Sequence, residues 1–191
     1  MIQLTTPITE STIRNLKVGN EVSISGVLFT GRDAVHKYLH DGGQLPPGVH
    51  LRGGILYHCG PVIIKDGEGK WKCVAAGPTT SIREEPYQWE VIRDLGLRAV
   101  IGKGGMGEKT LQACKQYGCA YLHAIGGAAQ VLAQCIQAVP NVYFMDEFGA
   151  PEAIWEFEVV NFPAVVTMDA NGNSLHKEVF AASQAELAKY V

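Results

Sequence analysis

Three cations stand in small-residue loops of one kind. Arg32 follows Thr30-Gly31, Arg83 closes Gly77-Pro78-Thr79-Thr80-Ser81-Ile82-Arg83, and Lys103 lies inside Gly102-Lys103-Gly104-Gly105-Met106-Gly107. Each loop follows an apolar run and precedes a helical pattern. In parallel α/β sheets, ligands sit beyond the carboxyl ends of strands, where such loops lead into helices. The helix N-termini there carry free N–H donors and a partial positive charge that suit carboxylate or phosphate. A fourth loop, Gly126-Gly127, has the same form without a cation. Arginine grips a carboxylate through two parallel hydrogen bonds and lysine acts as a compact charge, so two Arg and one Lys suit a small dicarboxylate. Any one of these loops also fits tight packing with a solvated cation; the recurrence is what points to an anion site.

Thr79, Thr80 and Ser81 add hydroxyls, of which at least one is expected to cap the following helix. Asp33 and His36 follow Arg32 at helical spacing, with Asp33 in the first turn and His36 partly buried, a minor candidate for catalysis. Tyr57, His58 and Cys59 precede Gly60-Pro61 and are expected to support a hairpin. Gly102, Gly104 and Gly107 also satisfy the G-x-G-x-x-G dinucleotide pattern. The acid that should hold a ribose about 20 residues later is missing, because the first acid after Glu108 is Asp146. A lysine between the first two glycines also hinders close approach of a pyrophosphate. The loop is not a Walker A sequence either, since its lysine precedes the glycines it should follow. The residues thus supply cations and hydroxyls, but neither a convincing general base nor a metal.

These loops need elements to hold them. Glu21 to Phe29 alternates like a half-buried strand, and Arg32 to His40 is helical up to Asp41-Gly42-Gly43. Gly54 to His58, Val62 to Lys65 and Trp71 to Ala76 read as short strands, the last two joined as a hairpin through Asp66-Gly67-Glu68-Gly69. Helices are predicted at Pro86 to Leu95, Glu108 to Tyr117 and Ala128 to Ala138. They alternate with strands at Arg98 to Ile101, Ala120 to Ile125 and Val142 to Met145. That alternation implies parallel strands joined by right-handed crossovers. Ala153 to Val160 and Ala164 to Met168 return to strand, and Ser183 is expected to cap a last helix, Gln184 to Tyr190. The expected fold is α/β: one layered domain over residues 1–191 with a mixed sheet.

A chain of 191 residues buries roughly 70% of its unfolded surface. Apolar residues at 47% and charged residues at 18% describe a globular protein rather than a disordered one. A formal charge of −3 without runs of either sign argues against nucleic-acid binding. No apolar run reaches the roughly 18 residues of a membrane span. Met1 to Pro7 lacks the regions of a signal peptide, so a cytoplasmic location is expected. Cys59, Cys73, Cys114, Cys119 and Cys135 include no C-x-x-C pair and are expected to be buried thiols, with no metal held by this chain alone.

Gly77-Pro78-Thr79-Thr80-Ser81-x-Arg83 and Ile101-Gly102-Lys103-Gly104-Gly105 resemble the signature loops of iron–sulfur hydro-lyases, the class I fumarases and L(+)-tartrate dehydratases. Arg32-Asp33-Ala34-x-His36, Gly126-Gly127-Ala128-Ala129 and Val160-Asn161-Phe162-Pro163-Ala164 fit in the same order, over most of the chain. The resemblance implies a separate β subunit with a swivelling β/β/α domain. Its active site would be shared with a larger α subunit, in an α2β2 assembly, whose cysteines hold a [4Fe–4S] cluster. Arg32, Arg83, Lys103 and Thr79 would bind the small dicarboxylate substrate, with Thr79 and Lys103 as catalytic residues. The implied reaction is reversible hydration of fumarate to L-malate, or dehydration of tartrate to oxaloacetate. A non-catalytic module that binds carboxylates or nucleotides is the alternative from another class. The roles of His36, His58 and the five cysteines stay open.

Overall fold

Period-two alternation divides the core. In β2 (Glu21–Thr30) Leu28 faces one apolar cluster and Phe29 the other. The same division holds in β3 (Ile55–Tyr57), β6 (Ala99–Gly102) and β7 (Ala120–His123), where Leu56, Val100 and Tyr121 point to one side and Ile55, Ile101 and Leu122 to the other. Strands covered on both faces read as continuous apolar runs, as these do. The computed structural model describes residues 1–190. The other strands are β1 (Ile2–Thr5), β4 (Val62–Lys65), β5 (Trp71–Ala75), β8 (Ile136–Ala138), β9 (Val142–Tyr143) and β10 (Ile154–Met168). The helices are α1 (Glu10–Arg14), α2 (Asp33–His40), α3 (Gln88–Leu95), α4 (Glu108–Tyr117), α5 (Ala129–Gln134), α6 (Met145–Phe148) and α7 (Leu175–Leu187), with a 3-10 turn at Ser81–Glu84.

β2, β3, β6 and β7 are parallel neighbours, in registers such as Phe29 with Leu56, Leu56 with Val100 and Ile101 with Leu122. Their carboxyl ends therefore share one edge. β10 runs antiparallel to both β2 and β7, so the pairings form a closed circuit through β2, β3, β6, β7 and β10. Val35 of α2, Val91 and Ile92 of α3, and Leu111 and Cys114 of α4 cover one face. Leu4, Trp155, Phe157, Phe162 and Val166 of β1 and β10 cover the other. The mixed sheet and single α/β unit agree with the expectation. Among the described residues no helix is long and apolar enough to cross a membrane.

Beyond shifts of a residue or two at element ends, four of the elements read from the sequence are changed. The helix expected to run to Ala138 stops at Gln134, and Ile136–Ala138 becomes a strand against Val159 and Glu158 of β10. Tertiary pairing there overrides the helical propensity of an Ala- and Gln-rich segment. The strand expected at 142–145 among the parallel strands shortens to Val142–Tyr143 and pairs antiparallel with β10 instead, and Phe144 at φ 59 turns the chain into α6. The two strands expected at 153–160 and 164–168 are one strand with a bulge. Asn161 adopts φ 55, which asparagine tolerates, and its Oδ1 accepts from Ser23 Oγ at 3.2 Å. Pro163 beside the bulge is placed where a strand can accept proline. The last helix starts at Leu175 and is capped by Ser174, not Ser183.

Candidate functional site

The four parallel strands end at Thr30, Tyr57, Gly102 and His123, and the loops that leave them are laced by backbone bonds. His58 N–H donates to Ile101 O (2.8 Å) and Thr79 N–H to His58 O (2.7 Å). Lys103 N–H donates to Thr79 O (3.2 Å) and Ser81 N–H to Lys103 O (3.1 Å). Residues 79–81 thus lie as a short rung along Lys103. Gly104 and Gly105, at φ 81 and 80, make the turn that follows Lys103, a conformation that costs glycine nothing. A Cβ on Gly126 would stand 3.4 Å from Lys103 Cδ, so the Gly126-Gly127 loop flanks the lysine stem. Arg32 precedes α2 and is held by Pro151 O (3.4 Å from Nη1) and Glu152 Oε1 (3.3 Å from Nη2). Arg83 pairs with Asp33, the first residue of α2. Arg32, Thr79, Arg83 and Lys103 therefore gather at one edge of the sheet. Lys103 has no ion-pair partner among the described residues.

At the start of α4, and at one N–H of α2, backbone donors are already taken by carboxylates of the chain, which narrows the sequence expectation of free helix N-termini. Glu152 Oε2 accepts from Ala34 N–H (3.0 Å) in the first turn of α2. Glu85 accepts from the N–H groups of Gly107 (2.8 Å), Lys109 (2.9 Å) and Thr110 (3.3 Å), and from Thr110 Oγ1 (2.6 Å), at the start of α4. A carboxylate built into the fold meets the positive helix end without the entropy cost of capturing a free ion. The side-chain cations Arg32, Arg83 and Lys103 and the Thr79 hydroxyl remain at this edge. Glu85→Ala should destabilise the chain by about 1–3 kcal/mol, because those donors lose a charged acceptor. Thermal unfolding of the two forms checks this, and equal stability would rule out the capping role.

Ser81 and Thr80 do not cap the 3-10 turn through their side chains. Ser81 Oγ instead joins a buried chain of polar groups, 2.8 Å from Tyr121 OH and 2.8 Å from His58 Nδ1. The Gln88 amide end bridges the two imidazoles, 2.7 Å from His58 Nε2 and 2.9 Å from His36 Nε2. His36 Nδ1 lies 2.8 Å from the Arg32 carbonyl, an acceptor only, so that nitrogen carries the proton. A neutral His36 then accepts at Nε2, which the Gln88 amide satisfies by turning its NH₂ toward the rings. Burial lowers the pKa of both histidines, that of His58 to about 3, so both stay neutral. His36, expected partly buried, is fully enclosed. This places it behind the Arg32 loop as a support rather than beside a ligand. Gly102 has no room for a side chain, because Ser81 Oγ and Tyr121 OH occupy the place of its Cβ. Tyr57 OH donates to Ala76 O (2.5 Å) and so steadies the end of β5, as expected for the hairpin.

Reading the sequence missed Glu84, Glu85, Gln88, Tyr121 and Glu152. No local signal marks them, since each acts on a segment distant in the chain. Glu84 is fully buried, and neither of its carboxyl oxygens has a hydrogen-bond partner among the described residues. Burial first, then the neighbouring Asp33, pushes its carboxyl up to about 8.

Four cysteines are buried and Cys135 is half-buried. Burial raises the Cys59 and Cys73 thiols, the latter to about 11, so they are protonated rather than thiolate ligands. Among the described residues no group of three or more His, Cys, Asp or Glu is placed to hold a metal ion. The side chains present do not fit an iron–sulfur cluster as ligands.

Comparison with known proteins adds to this geometry. The family model described as fumarase C-terminus matches residues 1–179. A Geobacillus stearothermophilus protein named "Putative fumarate hydratase class I" is 57% identical over 190 residues, covering 100% of this chain and 36% of that protein. The chain thus spans about a third of that relative. The Methanocaldococcus jannaschii "Putative L(+)-tartrate dehydratase subunit beta" is 42% identical over 177 residues, covering 90% of this chain and 89% of that subunit. The L(+)-tartrate dehydratase subunit beta of Escherichia coli K12 is 35% identical over 182 residues, with 93% and 89% covered. A match across nearly the whole chain, including every cationic loop described above, makes this protein a member of the fumarase C-terminal family.

Proposed function

We propose that this chain forms the carboxylate-binding wall of a hydro-lyase, catalysing reversible hydration of fumarate to L-malate together with a larger iron–sulfur subunit. The observation that carries the reading is the shared edge. Arg32, Arg83, Lys103 and Thr79 meet there, while donors at the start of α4 and one of α2 are taken by Glu85 and Glu152. A surface that offers side-chain cations more than free backbone donors suits a small diacid better than a phosphate, which uses backbone cradles. The two β-subunit relatives support a partner chain.

In the dehydration direction a proton leaves carbon beside a carboxylate, and negative charge grows on that carboxylate. Arg83 and Lys103 place fixed positive charge there, and Arg32 orients the other end of the diacid. Thr79 stands at the proton-transfer position. A threonine hydroxyl is too weak a base alone, so a carboxylate of the partner completes the relay. A partner-held cluster would supply Lewis acidity at the departing hydroxyl. A second reading, L(+)-tartrate dehydration, is favoured by the matching length of the two β-subunit relatives. The chain reconstituted anaerobically with its iron–sulfur subunit should turn over fumarate and malate, and the chain alone should not. Faster turnover of L-tartrate would select the second reading. Dicarboxylate binding by the isolated chain, with no activity gained from the partner, would reject both.

A further inference from the structure

Glu84 closes the 3-10 turn that carries Arg83, and it is fully buried. Both of its oxygens lack a hydrogen-bond donor among the described residues. The same is true of the buried Oδ1 of Asp33, while Oδ2 of that residue pairs with Arg83. The two carboxyl groups lie within hydrogen-bonding reach of each other. Two adjacent carboxylates, Glu84 fully buried and Asp33 with one buried oxygen, each with unsatisfied oxygens, are too costly to persist. One proton resolves both deficits: a neutral Glu84 donates its O–H to Asp33 Oδ1, and the pair then carries one negative charge, matched by Arg83.

We propose that Glu84 is a positioning residue of the diacid site, acting as a neutral carboxylic acid that fixes Asp33 and, through Asp33, sets the guanidinium of Arg83 beside Arg32. The proposal rests on the reading that Arg83 binds a substrate carboxylate. Ionised Glu84 would add a second negative charge beside Arg83, hold the guanidinium back and repel the diacid. The charged and titratable groups around it are Asp33 on α2, Arg83 on its own turn and the Tyr121 phenol on β7. Tyr121 ionises far above neutrality, and His36 and His58 in the adjoining network are already neutral, so none of them titrates in the same range. Burial and the Asp33 charge raise the Glu84 carboxyl to about 8, which puts its ionisation at the alkaline border of ordinary assays.

The test uses the complex reconstituted with its iron–sulfur subunit, with KM and kcat for fumarate and malate measured across the range on either side of pH 8. Wild type should show KM rising above about pH 8, by roughly tenfold per unit, as expected for one ionisation. Glu84→Gln keeps an N–H donor for Asp33 and cannot ionise, so its KM should match wild type at neutrality and stay flat at alkaline pH. Glu84→Met fills a similar volume without a donor, and its KM should be raised about tenfold or more at every pH, with a smaller change in kcat. An alkaline KM rise that survives in Glu84→Gln would overturn the proposal, as would wild-type KM in Glu84→Met. A purely structural role would shift stability in these variants but leave the KM profile alone. Infrared spectroscopy gives a readout apart from turnover: the band of a protonated buried carboxyl should be present in wild type and absent from Glu84→Gln. Its absence from wild type would overturn the proposal even if the enzyme is active. Absence of turnover of fumarate, malate and tartrate by the wild-type complex would instead overturn the hydro-lyase reading.

Discussion

Arg83→Ala should lower kcat/KM for fumarate and malate by about 10²–10³-fold in the reconstituted complex. The size follows from removing one charged donor from a developing carboxylate charge, which is worth about 3–4 kcal/mol. Folding should be almost unaffected. The Arg83 side chain is 58% exposed, and its pairing with Asp33 is a surface ion pair of small net worth. Arg83→Lys should recover only part of the rate, because an ammonium cannot grip a carboxylate through two parallel bonds. Arg93 serves as the control: it is an exposed arginine that pairs with its neighbour Asp94 on α3, away from the cationic edge. Arg93→Ala should leave the rate as it is. Near-normal turnover by Arg83→Ala would remove this residue from the site and with it the central support for the proposed function.

Glu84→Gln should also stabilise the chain at alkaline pH. The carboxyl titrates near 4.5 in the unfolded chain and is raised to about 8 in the folded one. A raised folded value means that the folded state holds a proton the unfolded state has released. Stability from this group is complete below pH 4.5 and is lost progressively as pH rises to about 8. Glutamine has no such dependence. The variant should therefore match wild type near pH 4.5 and exceed it by about 4 kcal/mol at pH 8. For a chain of this size that gain corresponds to a rise in Tm of roughly 8–16 °C. Thermal unfolding followed across pH gives the comparison, and two parallel curves would show that Glu84 is not neutral in the fold. At the site such a group is kept at a cost in stability, an arrangement common where position matters for function.

The sequence by itself determined the framework of the site. Apolar strand-like runs at β2, β3, β6 and β7, separated by helical stretches, suit parallel strands whose loops leave at one edge. Arg32 and Lys103 follow such strands, so their common edge was legible; Arg83 follows the separate antiparallel hairpin, and hydrogen bonds of Thr79 and Ser81 to His58 and Lys103 bring its loop there. The mixed α/β class and most element boundaries were legible for the same reason, because they depend on residues only a few positions apart. The strand β8 and the continuous β10 were not. Both depend on pairing with distant partners, which outweighed local propensity at Ile136–Ala138 and at the Asn161-Phe162-Pro163 bulge.

Only the tertiary structure decided what the acids do. Glu152 reaches across 118 residues to Ala34, and Glu85 across 22 to Gly107, and so donors of two helix ends expected to receive a ligand are taken by the chain's own carboxylates. Glu84 and Glu85 are identical in type and adjacent in sequence. One 3-10 turn sends Glu84 inward against Asp33 and Glu85 outward over the start of α4. In the first place burial and a like charge retain the proton; in the second, three backbone N–H groups and a hydroxyl satisfy the carboxylate. The charge state of an acid is set by the groups that surround it, and those groups are brought together by folding, not by their order in the chain.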